Sequence, residues 1–328
     1  MITVLLVTTW EEACGIAEHS ALLVDALKTE DDIHIDPSNK ESLDPGHCLS
    51  TLTPGRYEIV HLNYHAALHS RWLPTHVQRV QATGRKVVIT YHDTMSGEPD
   101  QPNSDHCKAL AEVADAFIVH EPVADLPSVI YWRQGIPEPE EPALDIYRAG
   151  TRGRPCIGTV GFDFPWKNYD LLATCSYEAG WSLLIVGKVT TDRQKALADL
   201  NPHVQFATND QGVSGEFVHR RQVVRVLSGC DGTAFLYLCA NTGTSAAIRQ
   251  GIAARKPMLA TDPRACRQFR DLQNLDTGIT WLENLSPVHV TKWLGWLSPG
   301  NHQMDHFAEQ DSWRRLGQKY ADLYRGLV

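Results

Sequence analysis

The sequence predicts an α/β protein built from two Rossmann-like, doubly wound domains. Short runs rich in Val, Ile and Leu alternate with longer amphipathic segments along the chain, which is the order expected of parallel sheets covered by helices. These runs are near-continuously apolar rather than alternating, as in strands that are buried on both faces. A Pro- and Glu-rich stretch separates two similar halves of the 328-residue chain.

Nine segments fit buried parallel strands. They are 2–8, 59–62, 86–91 and 116–120 in the first half, and 156–160, 182–186, 204–206, 232–237 and 257–261 in the second half. Helices are expected between them, for example over 16–27, 107–113 and 169–179. The alternation of the two element types in both halves is what favours two separate sheets.

The domain boundary is predicted from composition. The stretch 136–142 (IPEPEEP) cannot lie inside a strand or helix, and a polar, Gly-containing stretch precedes the strand that begins at 156. We therefore expect an N-terminal domain over 1–136, a linker over 137–154, a C-terminal domain over 155–302 and a last segment over 303–328. The last segment predicts one amphipathic helix, with an apolar face formed by Phe307, Trp313, Leu316, Tyr320 and Leu323.

Composition narrows the function classes. Hydrophobic residues make up 43% of the chain and charged residues 21%, which is typical of a soluble globular protein. The formal net charge of −9 disfavours a generic nucleic-acid-binding surface. No secretory signal or span of roughly 20 apolar residues is evident, and the eight scattered cysteines form no Cys-x-x-Cys pair. These features predict a cytoplasmic protein with reduced thiols and no integral membrane contact.

Two candidate segments lie in the first half. Gly15 follows the first strand and opens a helix, where free backbone N–H groups favour an anion; an ordinary strand-to-helix turn is the alternative. The dinucleotide fingerprint G-x-G-x-x-G is absent there. His92 and Asp93 follow a buried strand, at the edge where ligands of open α/β sheets bind, although Asp93 could also serve only as a helix cap.

Two further candidates lie in the second half. After the strand that ends at Gly161, a short loop places Lys167 just before a helix, an arrangement suited to a diphosphate. An exposed surface lysine is the alternative. A small polar loop then precedes another helix, and its hydroxyls and N–H groups suit a phosphate better than a simple helix cap requires. This loop contains Thr242, Gly243, Thr244 and Ser245.

His61, His65 and His69 are spaced by four residues, which would place them on one face of a helix. His61, however, belongs to the end of a predicted strand, so the helical spacing does not hold throughout. A zinc site is therefore disfavoured, and we expect no metal ligands.

The four candidate segments, in this order, resemble retaining GT-B glycosyltransferases whose first loop reads Gly-Gly-Ile-Ala. Here the loop reads CGIA over 14–17, and His92 looks like the family's histidine at the end of an N-domain strand. The family's Gly-Arg-x4-Lys motif matches Gly161, Phe162 and Lys167, so the lysine is kept and the arginine is replaced. Its Glu-x7-Glu element aligns with Thr242 through Gln250, and both glutamates are changed.

The resemblance implies two Rossmann-like domains facing a cleft, with a C-terminal helix that crosses back to the N-domain. It also implies transfer of a sugar from a nucleotide diphosphate-sugar, the co-substrate, to an acceptor hydroxyl, with retention and with no other cofactor or metal. His92 and Lys167 would be the catalytic residues. The implied donor-binding residues are Gly15, Phe162, Thr242, Gly243, Thr244, Ser245 and Gln250, and the implied acceptor or sugar contacts are Glu18, His65 and Asp93.

Two other functions fit the same scaffold. The missing Arg and Glu positions motivate the first, an inactive protein that binds a nucleotide or a sugar, because a lost cation weakens leaving-group stabilisation. The intact small polar loop and residues 165–168 favour a divergent enzyme instead. A GT-B sugar-nucleotide epimerase would consume donor without an acceptor. A glycan, a small metabolite or a hydroxymethylated DNA base would each suit the acceptor role.

Overall fold

The chain folds into two compact units, one formed by Met1–Gly135 with Asp311–Val328 and the other by Ile136–Gln310. The structure is a computed structural model that describes residues 1–10, 14–38, 40–69, 71–92, 103–121, 129–142, 153–209, 212–238, 245–261, 278–297 and 308–328. Each unit contains one six-stranded parallel sheet. Within the part of the chain described, no helix is long and apolar enough to span a bilayer.

The sheet of the first unit has the strand order β2-β1-β3-β4-β5-β6. Its strands are β1 Ile2–Val7, β2 Ile33–Pro37, β3 Ile59–Tyr64, β4 Lys86–Tyr91, β5 Ala116–Val119 and β6 Val129–Tyr131. Alternate residues of β1 enter cores on opposite faces, with Val4 and Leu6 on one side and Leu5 and Val7 on the other. Both faces are therefore buried, as the near-continuous apolar runs predict.

The helices of the first unit cover this sheet. They are α1 Gly15–Leu27, α2 Pro45–Thr51, α3 Ala66–His69, α4 Pro74–Gln81, α5 Asn103–Val113 and α11 Trp313–Leu327. A 3-10 turn at Lys40–Leu43 precedes α2. The amphipathic C-terminal helix is thus confirmed as α11, which buries Trp313, Leu316 and Tyr320. Phe307, predicted on the same face, lies outside the described residues.

Helix α11 packs closely on α1 because Gly317 has no side chain. A Cβ atom added to Gly317 would lie 2.7 Å from the Ala26 Cβ. At the end of α11, Arg325 forms ion pairs with Glu30 and Asp32, at 2.6 Å from each. The last helix of the chain is therefore an integral part of the first unit.

The sheet of the second unit has the order β12-β11-β10-β7-β8-β9. Its strands are β7 Cys156–Val160, β8 Ser182–Val186, β9 Val204–Phe206, β10 Gly232–Phe235, β11 Met258–Thr261 and β12 Ile279–Leu282. Its helices are α6 Tyr169–Glu178, α7 Thr191–Leu200, α8 Arg220–Ser228, α9 Ala246–Ala253 and α10 Pro287–Trp296. Numbered within the unit, this is the 3-2-1-4-5-6 order of a classical dinucleotide-binding domain, which confirms the predicted doubly wound fold.

The sequence missed three strands, β2, β6 and β12, and all of them lie at sheet edges. Their residues are largely intermediate in burial, so they lack the continuous apolar run by which the central strands were recognised. Of the predicted linker over 137–154, residues 143–152 lie outside the described residues.

Candidate functional site

The order of the second sheet reverses between β7 and β10. From β7 the chain adds β8 and β9 on one side, and then returns to place β10, β11 and β12 on the other. Ligands of open α/β sheets bind beyond the carboxyl ends of the two strands at such a switch point, because the following loops turn away from each other there. The segments after β7 and β10 carry Lys167 and Tyr237.

Lys167 is held in place by aromatic residues. It ends the 3-10 turn Pro165–Lys167, and Asn168 follows in the left-handed conformation with φ of 55°. The side chain is only 6% exposed. Its Nζ donates to the Tyr237 hydroxyl over 2.7 Å and lies 4.7 and 4.2 Å from the ring centroids of Trp166 and Tyr237. Cation–π contacts of this kind orient an ammonium group that is largely withdrawn from water.

Two glycines make room for this lysine. A Cβ atom at Gly161, whose φ is +137°, would lie 3.0 Å from both Cε and Nζ of Lys167. A Cβ atom at Gly187 would clash with the Gly161 carbonyl oxygen, and that oxygen accepts a hydrogen bond of 3.1 Å from the Tyr169 hydroxyl. The backbone after β7 therefore approaches the ammonium group as closely as only glycine allows.

Ser245 links the lysine to the start of a helix. Its hydroxyl lies 2.8 Å from the Tyr237 hydroxyl, so Tyr237 bridges the Lys167 ammonium and the N-cap residue of α9. Ser245 makes no side-chain cap hydrogen bond to α9. A positive charge and the N-terminal end of a helix dipole thus lie together at the switch point, and this combination attracts anions.

Phe162 takes the position at which the resemblance expects an arginine, and it begins a row of aromatic rings. Its centroid lies 5.9 Å from that of Phe164 and 6.3 Å from that of Phe217, and Phe164 stacks on Trp166 at 5.5 Å. Phe164 and Phe217 are 47% and 39% exposed. The row offers apolar ring faces beside the ammonium group and no second cation.

The other predicted donor contacts are placed only in part. Gln250 lies on α9 and is 4% exposed, so its side chain is almost fully enclosed. Thr242, Gly243 and Thr244, like Asp93 in the first unit, lie outside the described residues. The roles assigned to all of these residues stay predictions.

The first sheet reverses its order between β1 and β3, and a second polar cluster lies there. His19 comes from α1, which follows β1, whereas Asn63 comes from the end of β3. His92 follows β4 and His120 follows β5. All four side chains are buried. The carboxyl ends of four parallel strands thus bring together three histidines and one amide at the second switch point of the chain.

Hydrogen bonds connect the four side chains in series. The Asn63 amide contacts the Nε2 atom of His92 and lies 3.2 Å from the Nδ1 atom of His19. The His19 Nε2 lies 3.1 Å from the His120 Nε2, and His120 Nδ1 donates to the Trp132 carbonyl over 2.8 Å. The His19 ring also packs against Trp313 of α11, with centroids 4.8 Å apart.

Burial keeps His19 and His92 uncharged. Desolvation, followed by repulsion from the neighbouring histidines, lowers the pKa of His19 and the pKa of His92 well below the ordinary value. A charge on one ring would disfavour a charge on the next, which adds to the cost of desolvation. At neutral pH these two residues are therefore neutral imidazoles that can each donate once and accept once.

One nitrogen from each of His19, His92 and His120 lies within 4.8 Å of the others, a spacing at which three imidazoles could hold a metal ion. The trio considered from the sequence is a different one. His61 lies within β3 and contacts the Tyr324 hydroxyl and Thr90 Oγ1 at 2.6 and 2.8 Å. His69 is stacked on Tyr64 at 5.3 Å.

The remaining predicted residues of the first unit lie around the start of α1 and the end of β3. Gly15 begins α1, and a Cβ atom added there would meet nothing within 4 Å. Glu18 lies in the first turn of the same helix. His65 directly follows β3, and its amide donates to His69 Nδ1 over 3.1 Å. The hydrogen bonds in series therefore join His92 to His19, Asn63 and His120, but not to Gly15, Glu18 or His65.

Sequence reasoning missed His19, Asn63, His120 and Tyr237 as site residues. Three of them stand at or just beyond the carboxyl end of a strand, the same signal that singled out His92. His19 lies four residues after Gly15 on α1, a spacing that returns to the same face of a helix. Position at the carboxyl end of a predicted strand is therefore a signal that could have identified Asn63, His120 and Tyr237 as well as His92.

Comparison with solved structures bears on the fold. Anabaena HepE, solved with UDP and glucose, has a TM-score of 0.68 at 12% identity, over 98% of this chain and 99% of that chain. A UDP-forming α,α-trehalose-phosphate synthase from Burkholderia xenovorans gives 0.63 at 10% identity, over 100% and 99%. An α-glucosyltransferase solved with UDP and a 13-mer DNA gives 0.61 at 12% identity, over 99% and 100%.

The chain has the GT-B fold. No protein-family model matches it, and a search among curated proteins finds no significant match. At these identities the GT-B likeness concerns the arrangement of strands and helices. Because one fold serves many activities, the function of this chain depends on its own side chains, above all on those of the two switch-point clusters.

Proposed function

We propose that this chain transfers a sugar from a nucleoside diphosphate sugar to an acceptor hydroxyl, with retention of the anomeric configuration. The observation that carries the proposal is the Lys167–Tyr237–Ser245 arrangement at the switch point of the second sheet. This arrangement connects an ammonium group that is largely shielded from water to the start of helix α9. Two of the solved GT-B neighbours, Anabaena HepE and the α-glucosyltransferase, contain UDP, which supports a nucleotide-sugar as the donor.

Lys167 acts on the leaving diphosphate. As the bond to the sugar breaks, negative charge grows on the phosphate oxygen, and an ammonium group fixed beforehand stabilises that charge without reorganising. Tyr237 holds the ammonium group through its hydroxyl and its ring face. The amide groups that open α9 add partial positive charge to the same place. We propose that these groups, and not a metal ion, supply the electrostatic stabilisation.

Phe162 changes how the donor is held. An arginine in its place would add a second cation to the diphosphate contact, whereas the Phe162 and Phe164 rings offer apolar faces beside Lys167. Aromatic faces suit the C–H surface of a sugar ring or a nucleobase. Among the described residues after β7, Lys167 is then the cation that contacts the diphosphate, and its removal should cost more than the loss of one cation of a pair.

Phe162 also favours the alternative of a protein that binds a nucleotide-sugar without transfer, because leaving-group stabilisation is weaker with one cation. A single assay separates the possibilities. UDP-glucose, ADP-glucose and GDP-mannose are each incubated with the protein and followed by proton NMR, with water or an added pool of sugars, glycans, small hydroxylated metabolites and hydroxymethylated DNA as acceptor. We expect nucleoside diphosphate release and a product with the donor's own anomeric configuration.

The matched variants are Lys167→Ala and Lys188→Ala, which each remove one lysine from the second unit. The Lys188 side chain is 59% exposed and pairs with Glu216, so its loss should leave turnover unchanged. An inverted product would contradict retention. Binding without turnover would establish the binding-only alternative, and a new sugar nucleotide formed without acceptor would establish epimerisation.

A further inference from the structure

Asn63 presents two chemically different ends to two histidines. Its Nδ2 donates to Ser20 Oγ over 2.6 Å and faces the Ile16 carbonyl, which can only accept, at 3.5 Å. This fixes the amide orientation, so that Nδ2 also donates to His19 Nδ1 at 3.2 Å. The other end, Oδ1, faces the Nε2 atom of His92. An amide oxygen accepts only, so His92 must carry its proton on Nε2.

A neutral His92 with its proton on Nε2 has a lone pair on Nδ1. Among the described residues, none makes a hydrogen bond to that atom. His92 is 7% exposed, compared with 1% for His19 and 1% for His120. His92 is therefore the least buried of the three histidines, and its Nδ1 atom is a hydrogen-bond acceptor.

The far end of the series agrees with this assignment. Since His19 Nδ1 accepts from Asn63, its proton lies on Nε2 and is donated to His120 Nε2 over 3.1 Å. His120 then carries its proton on Nδ1 and donates it to the Trp132 carbonyl. One set of neutral tautomers satisfies all of these hydrogen bonds. In this set both nitrogens of His19 are engaged, Nδ1 as an acceptor and Nε2 as a donor, so His19 has no lone pair left for a metal ion.

We propose that Asn63 is a positioning residue that holds His92 in its Nε2–H tautomer, so that His92 Nδ1 accepts a hydrogen bond from a sugar hydroxyl. The proposal rests on the proposed function and on the catalytic role that the resemblance implies for His92. It also predicts which chemical groups His92 can bind. A lone pair attracts a hydroxyl and repels a carboxylate or phosphate oxygen, so the group that meets His92 is a hydrogen-bond donor.

Among the described residues, the titratable groups that act on His92 are other histidines. His19 on α1 and His120 after β5 are in ring contact with it, and His61, His65 and His69 act on it electrostatically. The acidic residues on those two segments are Glu18 and Asp25 on α1 and Glu121, which follows His120. A negative charge placed at residue 63 would be in direct contact with His92.

Asn63→Asp therefore gives a sharp test with almost no change of shape. A carboxylate beside His92 favours the imidazolium form, in which both ring nitrogens donate and the acceptor is lost. We expect kcat/KM for UDP-glucose to rise with pH between 6 and 8 in this variant, by about tenfold per pH unit below the raised pKa. The wild type should show no such rise, and UDP alone should bind both proteins equally.

Asn201→Asp is the matched control. Asn201 is a fully buried amide in the second unit that donates to Ser176 Oγ over 2.9 Å. It carries the same substitution away from His92, so it should leave the pH profile of kcat/KM flat. A rising profile in both variants would reduce the effect to a general consequence of a buried carboxylate, and a flat profile in Asn63→Asp would overturn the proposal.

Nitrogen NMR of histidine-labelled wild type tests the tautomer without any variant or turnover, with the His92 signals identified from their absence in His92→Gln. We expect the proton on Nε2 and an unprotonated Nδ1. A proton on Nδ1, or stoichiometric Zn²⁺ binding that is lost in His19→Ala, would overturn the proposal. An Nε2–H tautomer in a protein that neither binds nor turns over UDP-glucose, ADP-glucose or GDP-mannose would contradict the proposed function alone.

Discussion

The Tyr237 hydroxyl lies 2.7 Å from the Lys167 ammonium group, and the two residues follow the two strands at which the order of the second sheet reverses. The first sheet shows the same relationship in the contact between Asn63 and His19. In both units these polar contacts therefore lie at the switch point of the sheet, where the backbone topology opens a crevice.

Gly161→Ala should displace the Lys167 ammonium group. The new Cβ would lie 3.0 Å from Nζ and Cε, and the φ of +137° is unfavourable for alanine. Losing one charge-assisted hydrogen bond costs about 1.5–3 kcal/mol, or roughly 10- to 100-fold in affinity. We expect this loss in the dissociation constant for the nucleoside diphosphate that the wild type binds, measured by calorimetry.

Gly180→Ala is the control for Gly161→Ala. Gly180 also has a positive φ, +78°, but a Cβ atom there would meet nothing within 4 Å. It should lower stability through backbone strain and leave nucleotide affinity unchanged. Equal affinities in the two variants would mean that the space around Lys167 does not matter for binding.

Gly317→Ala should destabilise the first unit. Its Cβ would lie 2.7 Å from the Ala26 Cβ and 3.1 Å from the Ala26 carbonyl oxygen, so α11 and α1 would have to separate. Overpacking of this kind costs about 1–3 kcal/mol, which urea unfolding would report. Gly326→Ala, in the last turn of the same helix with open space around it, should be neutral or stabilising by up to about 1 kcal/mol.

Acid should destabilise the first unit through its buried neutral histidines. Burial lowers the pKa of His61 to about 3, so the unfolded chain takes up the proton at higher pH than the folded chain does. The unfolding free energy is therefore unaffected by protonation of His61 above pH ~6.5, and it decreases as the pH falls from 6.5 towards 3. For His61 alone we expect a loss of about 2 kcal/mol in unfolding free energy between pH 7 and 5.

Replacing His61 by Gln should reduce the loss of unfolding free energy between pH 7 and 5 by about 2 kcal/mol. Urea unfolding at the two pH values measures this difference. His34→Gln, at an exposed position of β2, should leave the slope unchanged. If both variants keep the slope of the wild type, His61 is not a source of the acid sensitivity.

The sequence predicted the central strands well because burial on both faces leaves a continuous apolar run. Strands β2, β6 and β12 escaped notice because an edge strand needs no such run. The lysine site was predictable in outline, since a glycine-ended strand and a following lysine are local features. Its partner Tyr237 was not, because the two residues are 70 positions apart and only the strand order brings them together.

The histidine cluster shows the same limit. His92 was found from its place at a strand end, but His19, Asn63 and His120 come from three other segments whose proximity depends on the order of the sheet. Ser245 was predicted to offer its hydroxyl to a phosphate. Its contact with Tyr237 is a tertiary contact that no local pattern records.

The most direct test of the account is calorimetric titration of UDP, ADP and GDP into the wild type, Lys167→Ala and Lys188→Ala. We predict that one nucleoside diphosphate binds the wild type and Lys188→Ala equally, and that Lys167→Ala weakens it by roughly 10- to 100-fold, the worth of one charge-assisted hydrogen bond. Binding of none of the three to the wild type, or equal binding to Lys167→Ala, would contradict the assignment of the donor site to Lys167.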